Sequence, residues 1–171
     1  MRLVCDADGL IKLQKAGLLA LLVHHAEVLI GPEVFREAVT EGIARGYPDA
    51  VELAQVLHAH RIPPAPPRHP HAVQIVQGTR LGPGETETLH LYFQARGDAI
   101  VSDDRAFVAL LLTHQIPVLT PAAVVVALCE WGLVTIAPAR QALERLRPLI
   151  RAEQYHAVQA DLAAFERKES R

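Results

Sequence analysis

Four apolar runs of three or four residues constrain this chain more than any other feature of it: Arg2-Leu3-Val4-Cys5, Val28-Leu29-Ile30, Ala99-Ile100-Val101 and Pro117-Val118-Leu119. Each is too short for a helix and lacks the polar alternation of a half-exposed strand, so each reads as a strand buried on both faces. Helical spacing fills the intervals. Leu10, Leu13, Leu18, Leu21 and Leu22 predict two short helices broken at Gly17. Pro32 suits a first helical turn, and Val34, Ala38 and Val39 continue one face toward Ile43. Further helices are predicted over 48–58, over 85–96 up to Gly97, after Asp104 through Leu112, and from Pro121 to near Gly132. From Pro138 the chain reads as two amphipathic helices separated near Ile150, with a tail that frays beyond Glu166. Buried strands alternating with helices specify an α/β fold, a parallel sheet covered on both faces.

One stretch breaks the pattern. Arg61 to His71 reads RIPPAPPRHPH, holds five of the twelve prolines, and is expected to be a stiff surface loop. The pairs His58/His60 and His69/His71 flank or lie in it and have zinc-ligand spacing, but no Cys or acid completes a tetrahedral set nearby, so a solvent-facing loop is the reading preferred. His24, His25 and His114 fall near predicted helix ends, where a cation suits the dipole.

A parallel sheet collects ligands at the carboxyl ends of its strands. Asp6 and Asp8 follow the first strand, and Asp103 and Asp104 follow the third. Glu37 lies about one turn into the helix after the second strand, and Glu85 with Glu87 opens a helix after Gly82-Pro83-Gly84. Four distant segments thus bring acids to one edge. Taken singly, such acids have simpler uses: Asp8 and Asp103 can cap the helices that follow them, and Glu87 can be a solvated helix residue. Taken together, unpaired carboxylates raise each other's pKa values, and the natural counter-charge is a hard divalent cation, Mg²⁺ or Mn²⁺.

The charge total bears on the partner. The chain carries 17 Lys and Arg against 19 Asp and Glu, with 14 acids and 10 bases in residues 1–139 and 5 acids and 7 bases in residues 140–171. Tight metal-free binding of nucleic acid through a basic surface is therefore excluded, whereas action on nucleic acid through bound cations is not. Half the residues are hydrophobic, which excludes disorder. Cys5 and Cys129 are apolar-flanked and read as reduced core residues of a cytoplasmic protein. No apolar run approaches the roughly 18 residues of a membrane span, and Asp6 and Asp8 interrupt any secretory leader.

The sequence resembles the PIN-domain ribonucleases, including VapC-type toxins of toxin–antitoxin pairs. The resemblance is carried by Leu3-Val4-Cys5-Asp6-Ala7-Asp8-Gly9-Leu10-Ile11, Pro32-Glu33-Val34-Phe35-Arg36-Glu37, Leu81-Gly82-Pro83-Gly84-Glu85-Thr86-Glu87 and Ile100-Val101-Ser102-Asp103-Asp104-Arg105-Ala106-Phe107, in that order. It implies a three-layer α/β/α sandwich about a parallel sheet, with residues 1–135 as the nuclease domain and 136–171 as a helical extension packed on it. By position, Asp6, Glu37, Glu85 and Asp104 match the family's catalytic, metal-binding acids, with Asp103 an alternative to Asp104 and Glu87 to Glu85. Ser102 matches a small hydroxyl residue before the last acid, while position 8 is Asp where Ser, Asn or Thr is more usual. The resemblance further implies an RNA substrate, a homodimer and a possible antitoxin protein. Arg36 and Arg105 adjoin the acids and are candidates for phosphate contacts.

Two other readings compete. Asp6-Ala7-Asp8-Gly9 also resembles the first motif of haloacid-dehalogenase phosphatases, with Asp6 as nucleophile and Asp103-Asp104 as the metal pair. Against it, position 10 is Leu and no lysine occurs between Lys15 and Lys168. The chain can also be read as a catalytically inactive PIN-fold interaction module, for which Leu110 to Leu112 and Val124 to Leu128 supply surplus apolar surface.

Overall fold

In the computed structural model, which describes residues 1–58 and 68–169, the four short apolar runs form one parallel sheet. The chain begins with β1 (Arg2–Cys5), α1 (Ala7–Ala16), α2 (Leu19–His25) and β2 (Glu27–Leu29). Next come α3 (Pro32–Phe35), a π-helical turn (Arg36–Thr40), α4 (Glu41–Ala44) and α5 (Pro48–Leu57). Residues 59–67, and with them most of the proline-rich stretch and His60, lie outside the described residues. Then follow α6 (Pro70–Val76), α7 (Pro83–Ala95), β3 (Ala99–Val101), α8 (Arg105–Thr113), β4 (Val118–Leu119) and α9 (Pro121–Glu130). The chain closes with α10 (Ile136–Leu146), a 3₁₀ turn (Arg147–Leu149) and α11 (Ala152–Glu169).

Strand order is β2-β1-β3-β4, all parallel, with Val4 opposite Leu29 on one side and Ile100 on the other. Alternate side chains therefore enter different cores. Leu3, Cys5, Ala99 and Val101 join a large cluster with α1, α2, α9, α10 and α11, whereas Val4 and Ile100 join a smaller one with Leu89, Phe107 and Leu111 from α7 and α8. Both layers are real cores, which is why the strands show no polar alternation. The sheet is the middle layer of an α/β/α sandwich, as expected.

Local rules set the element ends. Gly17 takes φ +75°, the left-handed conformation that a helix C-terminus favours, and breaks α1 from α2. Proline occupies the first turn of α3, α5, α6, α7 and α9. Helix α6 was not expected: the loop reading ran to His71, but Pro70 starts a helix and buries Ala72 in the smaller core.

The surplus apolar surface expected of α8 and α9 is mostly consumed. Val124, Val125 and Leu128 are buried because α9 packs against α10 and α11, and Leu111 is fully buried; Leu112 alone of these stays 62% exposed. Helices α10 and α11 contribute Ala139, Leu143, Leu146, Tyr155 and Leu162 to the same cluster as Leu3. Among the described residues no helix is long and apolar enough to cross a membrane.

Candidate functional site

The order β2-β1-β3-β4 makes the chain leave the adjacent strands β1 and β3 toward opposite sides of the sheet, which opens a crevice at their carboxyl ends. Asp6 follows β1 and Ser102-Asp103-Asp104 follows β3, joined by Asp6 N–H donating to the Val101 carbonyl at 3.1 Å. The cleft there is lined by Asp6, Ala7, Asp8, Glu37, Gly82, Gly84, Glu85 and Asp104. Asp6, Glu37, Glu85 and Asp104, predicted from four separate segments, meet in one place.

Each acid is set by its backbone. Asp6 caps α1, its Oδ1 accepting from Gly9 N–H at 2.7 Å, and its Oδ2 accepts from the Ser102 hydroxyl. Asp104 caps α8, with Oδ1 accepting from Phe107 N–H at 2.8 Å. Glu85 stands third in α7 and reaches back to Gly82 N–H at 2.7 Å. Glu37 lies in the π-helical turn, a distortion frequent at functional sites, and accepts from the Gly84 N–H. A Cβ at Gly84 would stand 2.5 Å from Glu37 Oε2, so only glycine leaves that carboxylate its place.

The lack of ion pairs among the described residues sets these four apart from Asp8, Asp103, Glu33 and Glu41. Asp6 is 4% exposed, and burial pushes its pKa up to about 7, aided by the charges of Asp8 and Glu85 and opposed by its bonds to Ser102 and Gly9. Burial also raises Glu37 and Glu85, the latter with a contribution from Asp104. None of the four enters an ion pair among the described residues, whereas Lys12 neutralises Asp8 and Asp103, and Arg36 neutralises Glu33 and Glu41.

The other predicted residues fall as follows. Asp103 is buried away from the cleft lining, with Oδ2 on Lys12 at 2.7 Å and Oδ1 accepting from Gln154 Nε2 at 2.5 Å. The helix caps are Asp6 and Asp104 and not Asp8 and Asp103, because the cap must precede the first helical residue, Ala7 or Arg105. Glu87 is no solvated bystander: it accepts from Glu33 N–H at 2.8 Å and Val34 N–H at 3.4 Å, closing the start of α3, and does not line the cleft. Arg36 bonds to Glu33 and Glu41, so its guanidinium is engaged on the helix surface. Arg105 makes no such bond among the described residues. Ser102 is fully buried and holds Asp6. His69 stacks on Phe93 at 5.2 Å between ring centroids, and its backbone N–H donates to His90 Nδ1 at 2.9 Å. Sequence reasoning missed Lys12 and Gln154; the Asp8–Lys12 spacing of four was the available signal for the first.

Oxygen-only donors of this kind suit a hard divalent cation. As they stand, no three His, Cys, Asp or Glu side chains among the described residues form a finished ion cage. Each of the four acids spends oxygen lone pairs on a backbone N–H. A carboxylate has about four such sites, so each retains capacity toward the cleft.

No curated protein and no solved structure matches the chain. The PIN-domain family matches residues 2–159, through α10 and into α11. That match stands against the haloacid-dehalogenase reading of Asp6-Ala7-Asp8-Gly9. With the parallel sheet, the acids at its switch point and a match over nearly its full length, the chain belongs to the PIN-domain family, a nuclease-type fold.

Proposed function

We propose that this protein is a divalent-metal-dependent ribonuclease whose catalytic, metal-holding residues are Asp6, Glu37, Glu85 and Asp104. One observation carries the reading: these four acids line one cleft and enter no ion pair among the described residues, whereas Asp8, which shares the lining, and Asp103, Glu33 and Glu41 are neutralised by Lys12 or Arg36, and Glu87 is spent on a helix cap. A buried carboxylate with its pKa near 7 and no cation beside it is a site built for one. Bound Mg²⁺ or Mn²⁺ supplies a more acidic water and neutralises charge on the phosphate and the departing oxygen.

The chain's own contribution is positional. Gly9, Gly82, Gly84 and Phe107 fix the four carboxylates through backbone N–H groups, and Ser102 fixes the second oxygen of Asp6. The carboxylates attack nothing; they hold charge in a fixed array before substrate arrives. Residues 1–135 carry this chemistry, with 136–171 as an extension packed against it. The resemblance to VapC-type toxins extends the proposal to a cytoplasmic homodimer restrained by an antitoxin protein.

The test is metal-dependent cleavage of single-stranded RNA by the wild type, Asp6→Asn and Asp104→Asn. Both variants are expected to lose cleavage while keeping the circular dichroism of the wild type. Undiminished metal-dependent cleavage by both would overturn the reading. Absence of any divalent-cation binding by calorimetry at millimolar metal would favour the inactive interaction module.

A further inference from the structure

The acidic cleft has a basic neighbour. Arg105, the residue after Asp104, lines a second groove together with Arg151, Glu153, Gln154 and Ala157. Both arginines are exposed, and among the described residues neither guanidinium makes a hydrogen bond or ion pair. Among the other described arginines, Arg2, Arg36, Arg45, Arg140 and Arg147 each pair with a glutamate, and Arg145 bonds to the Ala16 carbonyl. Glu153 is the single acid in the groove, which leaves its lining net positive.

The groove is also tied to the acids. Gln154 uses both ends of its amide: Oε1 accepts from Arg151 N–H at 3.0 Å, and Nε2 donates to Asp103 Oδ1 at 2.5 Å. The start of α11, an 18-residue helix, is thereby pinned to the loop that carries Asp104. Lys12 pins the same Asp103 carboxylate to α1. The unsatisfied N–H groups at the amino end of α11 add partial positive charge beside Arg151.

We propose that this groove is a phosphodiester-binding subsite, in which Arg105 and Arg151 hold phosphates of a nucleic-acid strand flanking the one in the acidic cleft. Gln154 is the positioning residue that sets Arg151 against the site. The assignment rests on the nuclease reading for the identity of the strand as RNA. It gives the start of α11 a part in substrate binding. An acidic protein segment is the competing occupant; a groove whose Arg105 directly follows the cleft residue Asp104 favours the strand, because one continuous chain of phosphates satisfies both arginines and the cleft.

The experiment is binding of a short labelled single-stranded RNA in EDTA across a potassium chloride series, with the wild type, Arg105→Ala, Arg151→Ala, the double variant, the two Lys variants and Gln154→Ala. Each Ala variant is expected to bind several-fold more weakly, and the slope of log affinity against log salt to shrink by about 0.7 per arginine removed. The Lys variants should keep most of the slope, and Gln154→Ala should lose part of the Arg151 contribution. No RNA binding by the wild type at low salt, an unchanged slope in the double Ala variant, or equal displacement of RNA by polyglutamate would overturn the proposal. Those failures leave metal-dependent cleavage to be judged by Asp6→Asn and Asp104→Asn. Conversely, arginine-dependent binding without any cleavage would remove the nuclease reading and keep the groove.

Discussion

Lys12 and Asp103 form an ion pair at 2.7 Å in which the Asp103 side chain is 4% exposed and that of Lys12 15%. The pair crosses from α1 to the loop after β3, and it turns Asp103 away from the cleft into which Asp104 looks. Two neighbouring aspartates thus have separate duties. Removing one partner of a buried pair strands the other, at a cost of roughly 3 kcal/mol. Asp103→Ala is expected to lose about that much stability in urea unfolding, and Asp104→Asn very little, because asparagine caps a helix about as well as aspartate. A loss below 1 kcal/mol in Asp103→Ala would show that Lys12 is satisfied by Asp8 alone.

The cleft acids give the protein an unusual response to pH. The Asp6 pKa in the folded chain is about 7, raised from 3.8, chiefly by burial. The folded state therefore binds more protons than the unfolded state between those values, and stability falls as pH rises through them. Glu37 and Glu85 are raised as well and act with the same sign. Without divalent metal, the melting temperature should be higher at pH 5 than at pH 8, reflecting a stability difference on the order of a few kcal/mol from Asp6. Mn²⁺ should stabilise the protein more at pH 8, where the carboxylates are ionised, and Asp6→Asn should flatten both trends. A wild-type melting temperature that rises from pH 5 to pH 8 in EDTA would be incompatible with this.

Two glycines near the site separate folding from function. A Cβ at Gly9 would come within 2.6 Å of the Val101 carbonyl oxygen, which is backbone of β3 and has nowhere to go. At Gly84 the obstacle is the end of the Glu37 side chain, which can swing aside. Gly9→Ala is expected to destabilise by about 1–3 kcal/mol, as overpacking does. Gly84→Ala should melt within a few degrees of the wild type but bind Mn²⁺ several-fold more weakly. Calorimetry and thermal melts on the two variants check this, and unaltered Mn²⁺ affinity in Gly84→Ala would detach Glu37 from the site.

Much of this arrangement was legible in the residues because strand ends and acids coincide. Val4-Cys5-Asp6 and Ile100-Val101-Ser102 each announce a buried strand followed at once by a polar side chain, and a parallel sheet leaves few places for such ends to go. What stayed hidden depends on distance in three dimensions. Nothing local to Asp103 says that its partners are Lys12, 91 residues away, and Gln154, 51 residues away. Nothing local to Glu87 says that α3 starts against it. The π-helical turn at Glu37 was invisible too, since its sequence keeps helical spacing and tertiary packing imposes the extra residue. Helix α6 was lost because proline was read as a loop former where it also serves as a helix first turn.

The two glutamates of α7, Glu85 and Glu87, are indistinguishable as ligands in the sequence but not in the structure. Glu85 lines the cleft beside Asp104, whereas Glu87 points to the first turn of α3, where a Cβ on Gly31 would stand 2.0 Å from its Oε2. Removing Glu87 therefore leaves the N–H groups of Glu33 and Val34 without their acceptor, a loss of about 1 kcal/mol for a helix cap and more if water cannot enter. Glu85→Gln keeps a carbonyl oxygen for Gly82 N–H but gives up the charge that a cation needs. We expect Glu85→Gln to fold normally and lose metal-dependent cleavage, and Glu87→Ala to retain cleavage at low temperature while unfolding at lower urea. Because α3 leads directly into the π-helical turn, Glu87→Ala should also show a modest rise in the metal concentration needed for half-maximal activity, through Glu37. Unfolding curves and metal titrations on the same two variants decide it, and loss of cleavage in Glu87→Ala with retained cleavage in Glu85→Gln would reverse the assignment.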